Sequence, residues 1–316
     1  MSPRAARAGW AAAIAAGALL VCAPAYDLQA LYSQLQSSDL EARQDAAEKI
    51  EKIVREGNYD LFVRGATSAV KSDRAPSIIY LSQMTQPKAR AALRDLLRIG
   101  TRSLIPYNPI RMKPSSEETD SRILVAHLIA ESGGDPGAVD ALLEGVQGQP
   151  PDVLAGTCYA LGALRDPKGV PFLSTAVRHQ DVEVVRAAVQ ALGMFPTSEA
   201  RTALKSLLGH PSLEVRSEVL SALEIQEDPS VVEILETIAA SDPSPELRAS
   251  AMGRLGRFKD PSPVPFLIQQ LKGRDDTNRQ AALDTLRLLS GQTYGPRPEP
   301  WTRWWEQNQK SLVARP

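Results

Sequence analysis

The side chains of this chain best suited to chemistry are three histidines, two cysteines and a scatter of acidic pairs. Their spacing decides what they can do. A metal ion needs several ligands held at fixed distances, and His127, His179 and His210 each stand without a cysteine or a second histidine nearby in the sequence. In the turns of two stacked helical units, His179 and His210 would come within about 10 Å, because packed helices lie about 8–10 Å apart. They read as solvated turn residues, and no metal is expected. Cys158 stands three places before Leu161, on the apolar side of its segment, and reads as a buried, inert thiol. The sequence shows no Gly-x-Ser-x-Gly elbow, His-Glu-x-x-His pair, phosphate-binding glycine loop or dinucleotide fingerprint. The pairs Glu117-Glu118 and Asp275-Asp276 are placed at helix starts, where carboxylates favour the helix dipole. The expectation is a chain with no catalytic residues and no cofactor.

The recurring element is apolar. Ile50, Leu81, Leu128, Leu161, Leu192, Leu223, Leu255 and Leu286 recur at sequence intervals of 31, 47, 33, 31, 31, 32 and 31. One repeated unit with a single long insertion accounts for every interval. At such a period no unit can hide its own apolar face, so neighbours must stack to make a core. Each unit reads as two antiparallel helices. Asp166-Pro167, Asp228-Pro229 and Asp260-Pro261 start the first helix, the aspartate accepting from free amides and the proline fitting the first turn. A polar turn follows, as in His179-Gln180-Asp181, His210-Pro211-Ser212 and Asp242-Pro243-Ser244. Gly162, Gly193 and Gly256 then stand as helix stops that tolerate positive φ.

Seven places before the leucine column stands an arginine in five units: Arg43, Arg74, Arg216, Arg248 and Arg279. Its stem can lie along the helix pair while the guanidinium reaches turn carbonyls or an aspartate of the next unit, such as Asp39, Asp73 or Asp275. This reads as a structural ladder, with an anion-binding row as the other reading. Leu154 and Val185 break the column, and Arg122 and Arg186 stand one place later in their units.

The stretches Leu213-Glu-Val-Arg-Ser-Glu-Val-Leu-Ser-Ala-Leu223 and Glu246-Leu-Arg-Ala-Ser-Ala-Met-Gly-Arg-Leu-Gly256 resemble HEAT repeats of the armadillo-like superfamily, in the short bacterial form also found in phycobilin lyase relatives. The resemblance implies an all-α, right-handed αα-solenoid of about eight helix pairs. It also implies a binding scaffold, since most such arrays bind proteins and only some members are enzymes. Units this short depart from the longer eukaryotic form of about 40 residues, so partners known there do not transfer.

Two segments break the repeat. Residues 101–119 form an insertion in which Pro106, Pro109 and Pro114 forbid a helix, while Ile105, Tyr107, Ile110, Arg111, Met112 and Lys113 give it a mixed apolar and basic surface. It reads as a loop packed on its own unit, or as a partner-binding loop. The tail 291–316 turns at Gly291 and carries Trp301, Trp304 and Trp305 on a short helix begun by Pro300. A stacked array ends in an open apolar face, so these rings read as a cap. Direct binding, for instance to carbohydrate, is the alternative.

Residues 1–25 read as a secretory leader: Arg4 and Arg7, an apolar stretch Trp10 to Val21, and the small-x-small site Ala23-Pro24-Ala25. That stretch falls short of the about 20 residues that span a bilayer. Lipidation at Cys22 is disfavoured because Val21 is not small. Cleavage would leave residues 26–316, of which 26–290 form the repeat array, with 34 basic against 37 acidic side chains and a net charge of −3. That balance disfavours a nucleic-acid partner, which requires a basic stripe. The sequence therefore predicts an exported, periplasmic or extracellular, non-enzymatic scaffold for another protein, with no stable membrane span after cleavage. Contacts are expected at Tyr107, Arg111, Lys113, Gln190, Arg254, Arg287, Trp301, Trp304 and Trp305. The rival is a small-ligand binder or lyase-like enzyme using the concave groove.

Overall fold

The computed structural model describes residues 26–98, 104–108, 113–144, 146–226, 228–258 and 260–313, so the leader lies outside the described residues. The chain forms two compact units, one ending at Glu56 and one starting at Gly57. In the first, α1 (Leu28–Leu35) and α2 (Leu40–Arg55) pack through Leu31, Tyr32, Ala46, Ile50 and Ile53. Asp27 accepts from the Ala30 amide at 3.2 Å and Asp39 from the Glu41 amide at 3.0 Å, satisfying orphan donors at each helix start.

The second unit contains α3 (Tyr59–Ala66), α4 (Lys71–Ser82) and α5 (Pro87–Arg98), then strands β1 (Leu104–Asn108) and β2 (Lys113–Asp120). These are followed by α6 (Ser121–Glu131), α7 (Ala138–Glu144), α8 (Pro151–Leu164), α9 (Val170–Ala176) and α10 (Val182–Gly193). The array continues through α11 (Ser198–Lys205), α12 (Leu213–Ile225), α13 (Val231–Ser241) and α14 (Pro245–Leu255), and closes with α15 (Val264–Gln270), α16 (Asp276–Ser290) and α17 (Pro298–Val313). The described residues thus hold eight helix pairs and one terminal helix, the αα-solenoid expected from the spacing. No described helix is long and apolar enough to cross a membrane.

The column residues Ile50, Leu81, Leu161, Leu192, Leu223, Leu255 and Leu286 are fully enclosed, and Leu128 is 7% exposed. The turns behave as read. Asp166, Asp228 and Asp260 accept from the amides of Lys168, Ser230 and Ser262 at 3.0, 2.9 and 2.8 Å. The arginine column is the ladder. Each of its five members donates to the carbonyl six residues earlier: Arg43 to Ser37, Arg74 to Ser68, Arg216 to His210, Arg248 to Asp242 and Arg279 to Gly273, at 2.6–3.0 Å. Arg216 also grips Asp242 of the next pair at 2.8 and 3.2 Å, and Arg248 grips Asp275 at 3.3 Å.

The glycines correct one reading. Gly193 and Gly256 keep right-handed backbones, and Gly162 lies inside α8, so none of them is a left-handed stop. What they supply is the absence of a side chain. A methyl on Gly162 would stand 3.0 Å from the Ala191 Cα, and one on Gly193 3.0 Å from the Ala222 Cα. Successive second helices touch backbone to backbone at these points. Left-handed ends do occur, at Arg165 (φ 53°) and at Gly291 (φ 68°), the latter as expected.

The insertion corrects another. Its described part is an antiparallel hairpin, not a loop, with Leu104 opposite Asp120, Ile105 opposite Thr119, Tyr107 opposite Pro114 and Asn108 opposite Lys113. The register shifts between Ile105 and Tyr107, at Pro106, which has no amide hydrogen to give to a ladder. The pair Glu117-Glu118 therefore lies in β2, while Asp275 and Asp276 do start a helix. Ile105 is fully buried. At the exit of β2 the Asp120 carboxylate caps the Arg122 amide at 2.9 Å and accepts from the Arg122 guanidinium at 2.6 Å. That guanidinium also donates to Thr157 Oγ1 at 3.0 Å and to the Val153 carbonyl at 2.9 Å, both on α8. Gly156 makes this possible, since a Cβ there would fall 2.5 Å from Asp120 Oδ2.

At the other end, Trp301 is completely enclosed, edge-on to Tyr294 with ring centres 5.1 Å apart, and its indole N–H donates to the Gly295 carbonyl at 2.9 Å. Trp301→Ala is expected to lower stability by about 3–5 kcal/mol, a core aromatic loss, with Trp305→Ala costing far less in the same denaturation experiment. Gly193→Ala is expected to destabilise by about 1–3 kcal/mol through overpacking. Gly253→Ala, whose methyl meets nothing within 4 Å, should stabilise by up to about 1 kcal/mol through helix propensity. Equal responses of the two glycine variants to urea would remove the close-approach explanation.

Candidate functional site

The second helices of three successive pairs, α6, α8 and α10, lie side by side and bound an open groove of ≈ 960 Å³. Its floor is made of small residues, Ala130, Gly162, Ala163 and Ala191, which follow from the close seating of these helices. Ile123, Leu164, Met194 and the ring of Tyr159 rise from it, each half-buried. Gly133 and Gly134, both with positive φ, turn the chain away at one end and leave that end unobstructed.

Polar groups stand at the margins. Burial holds the His127 imidazole below its usual value; Glu131 opposes that shift and Arg165 reinforces it. Burial, with the nearby Glu183 carboxylate adding to it, pushes the Tyr159 hydroxyl up, so it stays a neutral phenol. Arg165 is exposed, and its backbone sits in the left-handed region, a conformation costing of order 1 kcal/mol for a residue with a side chain. Its amide closes α8 by donating to the Leu161 carbonyl at 3.2 Å. The groove is thus an apolar trough with separated polar groups, a shape suited to holding an apolar surface against a few oriented hydrogen bonds.

Of the residues singled out from sequence, Gln190 lines this groove. Arg254 is engaged elsewhere, donating to the Leu220 carbonyl at 2.9 Å and pairing with Glu224. Arg287 reaches Asp284 at 3.4 Å and the Tyr294 carbonyl at 3.3 Å, which ties the tail to α16. Tyr107 and Lys113 are in the hairpin, on β1 and β2, and Arg111 lies outside the described residues. Trp304 and Trp305 are half-buried neighbours with ring centres 6.4 Å apart. Trp301 is corrected from contact residue to core, because its ring is enclosed and its one polar atom is satisfied.

His127, Tyr159, Met194, Glu131 and Arg165 were not foreseen as groove residues. A register signal was present: Tyr159 and Gln190 both stand two places before the leucine column, in consecutive units. His179 and His210 occupy turns as read, each accepting with Nδ1 from the amide two residues on, at 3.0 and 3.1 Å. Cys158 is buried, and desolvation pushes its thiol up to about 12, which leaves it unreactive. No cluster of three metal-ligating side chains occurs among the described residues.

Residues 113–193 and 173–253 match the family described as HEAT repeats. No curated protein matches the sequence. Among solved structures, the chain is similar to YibA of Escherichia coli, at 16% identity over 84% of this chain and 93% of that one, with a TM-score of 0.45. It is also similar to the complex of CpcE and CpcF of phycocyanin lyase from Nostoc sp. PCC7120, at 17% identity, 87% and 98% coverage and a TM-score of 0.35. Human deoxyhypusine hydroxylase in complex with glycerol matches at 16% identity, 77% and 100% coverage and a TM-score of 0.31. Likenesses this distant carry no information about what the chain does.

The histidine gives a pH test. The unfolded chain takes up a proton near pH 6.5, about the ordinary histidine value, before folded His127 does. The stability arising from this shift is therefore complete above that pH and is lost as pH falls through it. The stability difference between the natural chain and His127→Gln is expected to shrink from about pH 7 to about pH 5, measured by urea denaturation at both values. A difference independent of pH would contradict the half-buried imidazole whose protonation burial opposes.

Proposed function

We propose that this HEAT-repeat protein is an exported, non-enzymatic scaffold that docks a segment of another protein in the groove across α6, α8 and α10. The observation that carries the reading is the groove: three second helices in one register present an open, mostly apolar trough. Aromatic, methionine and arginine side chains are enriched where proteins recognise one another, and Tyr159, Met194 and Arg165 stand here together. Methionine adapts its shape to a partner without a large strain cost. The docked segment would offer one or two large apolar side chains to the small-residue floor, with Gln190 and Arg165 fixing its direction. Export rests on the leader pattern in residues 1–25.

A photo-crosslinking amino acid at Gln190, in protein recovered from the exported fraction, should form an adduct with a distinct protein. The same group at Ser198, exposed on α11, should not. Met194→Glu should abolish the adduct while thermal unfolding of the scaffold stays unchanged. Adducts from both positions, or from neither, would count against the groove. Mass spectrometry of the recovered chain should find Tyr26 at its N-terminus.

A second reading is favoured by the size of the groove, which falls within the about 300–1,000 Å³ typical of small-ligand sites, and by the presence of His127, Glu131 and Tyr159 on its wall. Native mass spectrometry separates the two. A small bound mass that disappears in Tyr159→Ala would support the ligand reading and displace the peptide.

A further inference from the structure

One junction of the array is built differently from its neighbours. Where α8 meets α10 and where α10 meets α12, the residue after the column leucine is glycine and the residue before the next column leucine is alanine: Gly162 on Ala191 and Gly193 on Ala222. At the next junction those same two register positions hold Glu224 and Arg254, and the glycine–alanine seat is replaced by an ion pair. After it the small residue returns. Gly256 lies against Leu288 and Thr285 of α16, where a Cβ would fall 2.6 Å from Leu288 Cδ2, and the Thr285 hydroxyl is within reach of the Ala281 carbonyl at 2.8 Å and the Met252 carbonyl at 3.1 Å. In keeping with this, α10 runs close along both α8 and α12, and α14 close along α16, while α12 and α14 approach closely at only a few residues. The interval from Leu223 to Leu255, which spans this junction, is one position longer than the interval on either side.

Charged side chains fill the gap. Arg216 holds Asp242 across it with both partners almost fully buried, and Arg201 holds Asp228 at 3.2 Å. Glu224 also pairs with the exposed Arg257, and Lys205 with Glu233 at 3.2 Å. Among the described residues each flanking junction of second helices has a single cross-junction ion pair, Arg186 with Glu218 at 3.8 Å and Arg248 with Asp275 at 3.3 Å.

The two kinds of junction resist opening by different physics. Parting an apolar seat exposes methyl and methylene surface to water, which is unfavourable in proportion to the area. Parting an ionic seat returns charges to water, and their solvation offsets most of the lost attraction. Exposed pairs are further weakened by salt, and buried ones much less so. We propose that the α12–α14 junction is a salt-sensitive hinge, at which α13–α17 swing as one body relative to α5–α12 while the apolar junctions stay closed. The buried Arg216–Asp242 pair is the pivot, and the exposed pairs set how far the joint stays shut.

The test is a distance measurement by pulsed electron spin resonance on the full chain, with spin labels at Val182 and Ser250, which straddle the junction. A second pair at Lys88 and Val182, both on the N-terminal side of it, is the control. Raising salt from about 0.1 M to about 1 M shortens the screening length from about 10 Å to about 3 Å. The Val182–Ser250 distribution is expected to broaden and shift by several ångströms, and the Lys88–Val182 distribution to stay fixed. The double variant Glu224→Gly, Arg254→Ala rebuilds the neighbouring seat and should bring the salt response down to that of the control pair. Should that variant fail to fold, Lys205→Gln with Arg257→Gln, both at exposed cations, should produce the high-salt distribution already at low salt. Identical salt responses in both label pairs, no response in either, or variants that leave the Val182–Ser250 response unchanged would overturn the hinge.

Discussion

Everything in this molecule follows from the fact that a pair of short amphipathic helices has more apolar surface than it can cover. The leucine column is the record of that surplus: one enclosed side chain per pair, and within the second unit successive pairs lie against one another along it. The approach must be close, and closeness is a matter of side-chain size. Gly162 and Gly193 let two backbones meet, with Ala191 and Ala222 as the opposing faces. The groove is a by-product of the same economy, because helices seated on glycine and alanine leave a shallow floor between the larger residues that flank them.

Stacking alone does not fix the angle between the two helices of a pair. The arginine column does, by joining the body of the second helix to the turn that precedes it, always at a separation of six residues. A guanidinium has enough donors to serve its own turn and the next pair together. Arg216 and Arg248 do both, so that the Asp242 backbone is held by Arg248 while its carboxylate is held by Arg216. Where the column is absent, the arginines one place later reach the next pair: Arg122 crosses to α8 through Thr157, and Arg186 pairs with Glu218 of α12 at 3.8 Å.

Much of this was legible from the sequence because it is periodic. The column, the aspartate caps and the arginines repeat, and each repetition is an independent trial of the same local physics. Departures from the period were harder to read. The hairpin escaped because three prolines argue against a helix without arguing for a strand, and its ladder is interrupted at Pro106. The glycines were placed correctly and explained wrongly, since a helix stop and a close contact both require the same missing Cβ and only coordinates separate them. Trp301, Trp304 and Trp305 stand on neighbouring faces of one helix, and their different burial comes from the tail that folds back over Trp301 through Tyr294 and the Gly295 carbonyl, a contact that helical spacing does not report. The groove was half visible through Gln190. His127 and Arg165 belong to it because of how α6 ends and α8 closes, which no spacing announces.

The clamp at the exit of the hairpin joins two parts of the molecule that are distant in sequence. Asp120 ends β2, and its carboxylate rests on the bare Cα of Gly156 while Arg122 fastens it to Val153 and Thr157. Tyr159 is less than one turn further along the same helix. The hairpin is thus anchored on the central helix of the trough by direct hydrogen bonds, with no turn between the end of β2 and α8 at that contact. The base of the insertion and the central helix of the trough therefore share one set of bonds, so neither can shift without parting the Arg122 contacts to Val153 and Thr157.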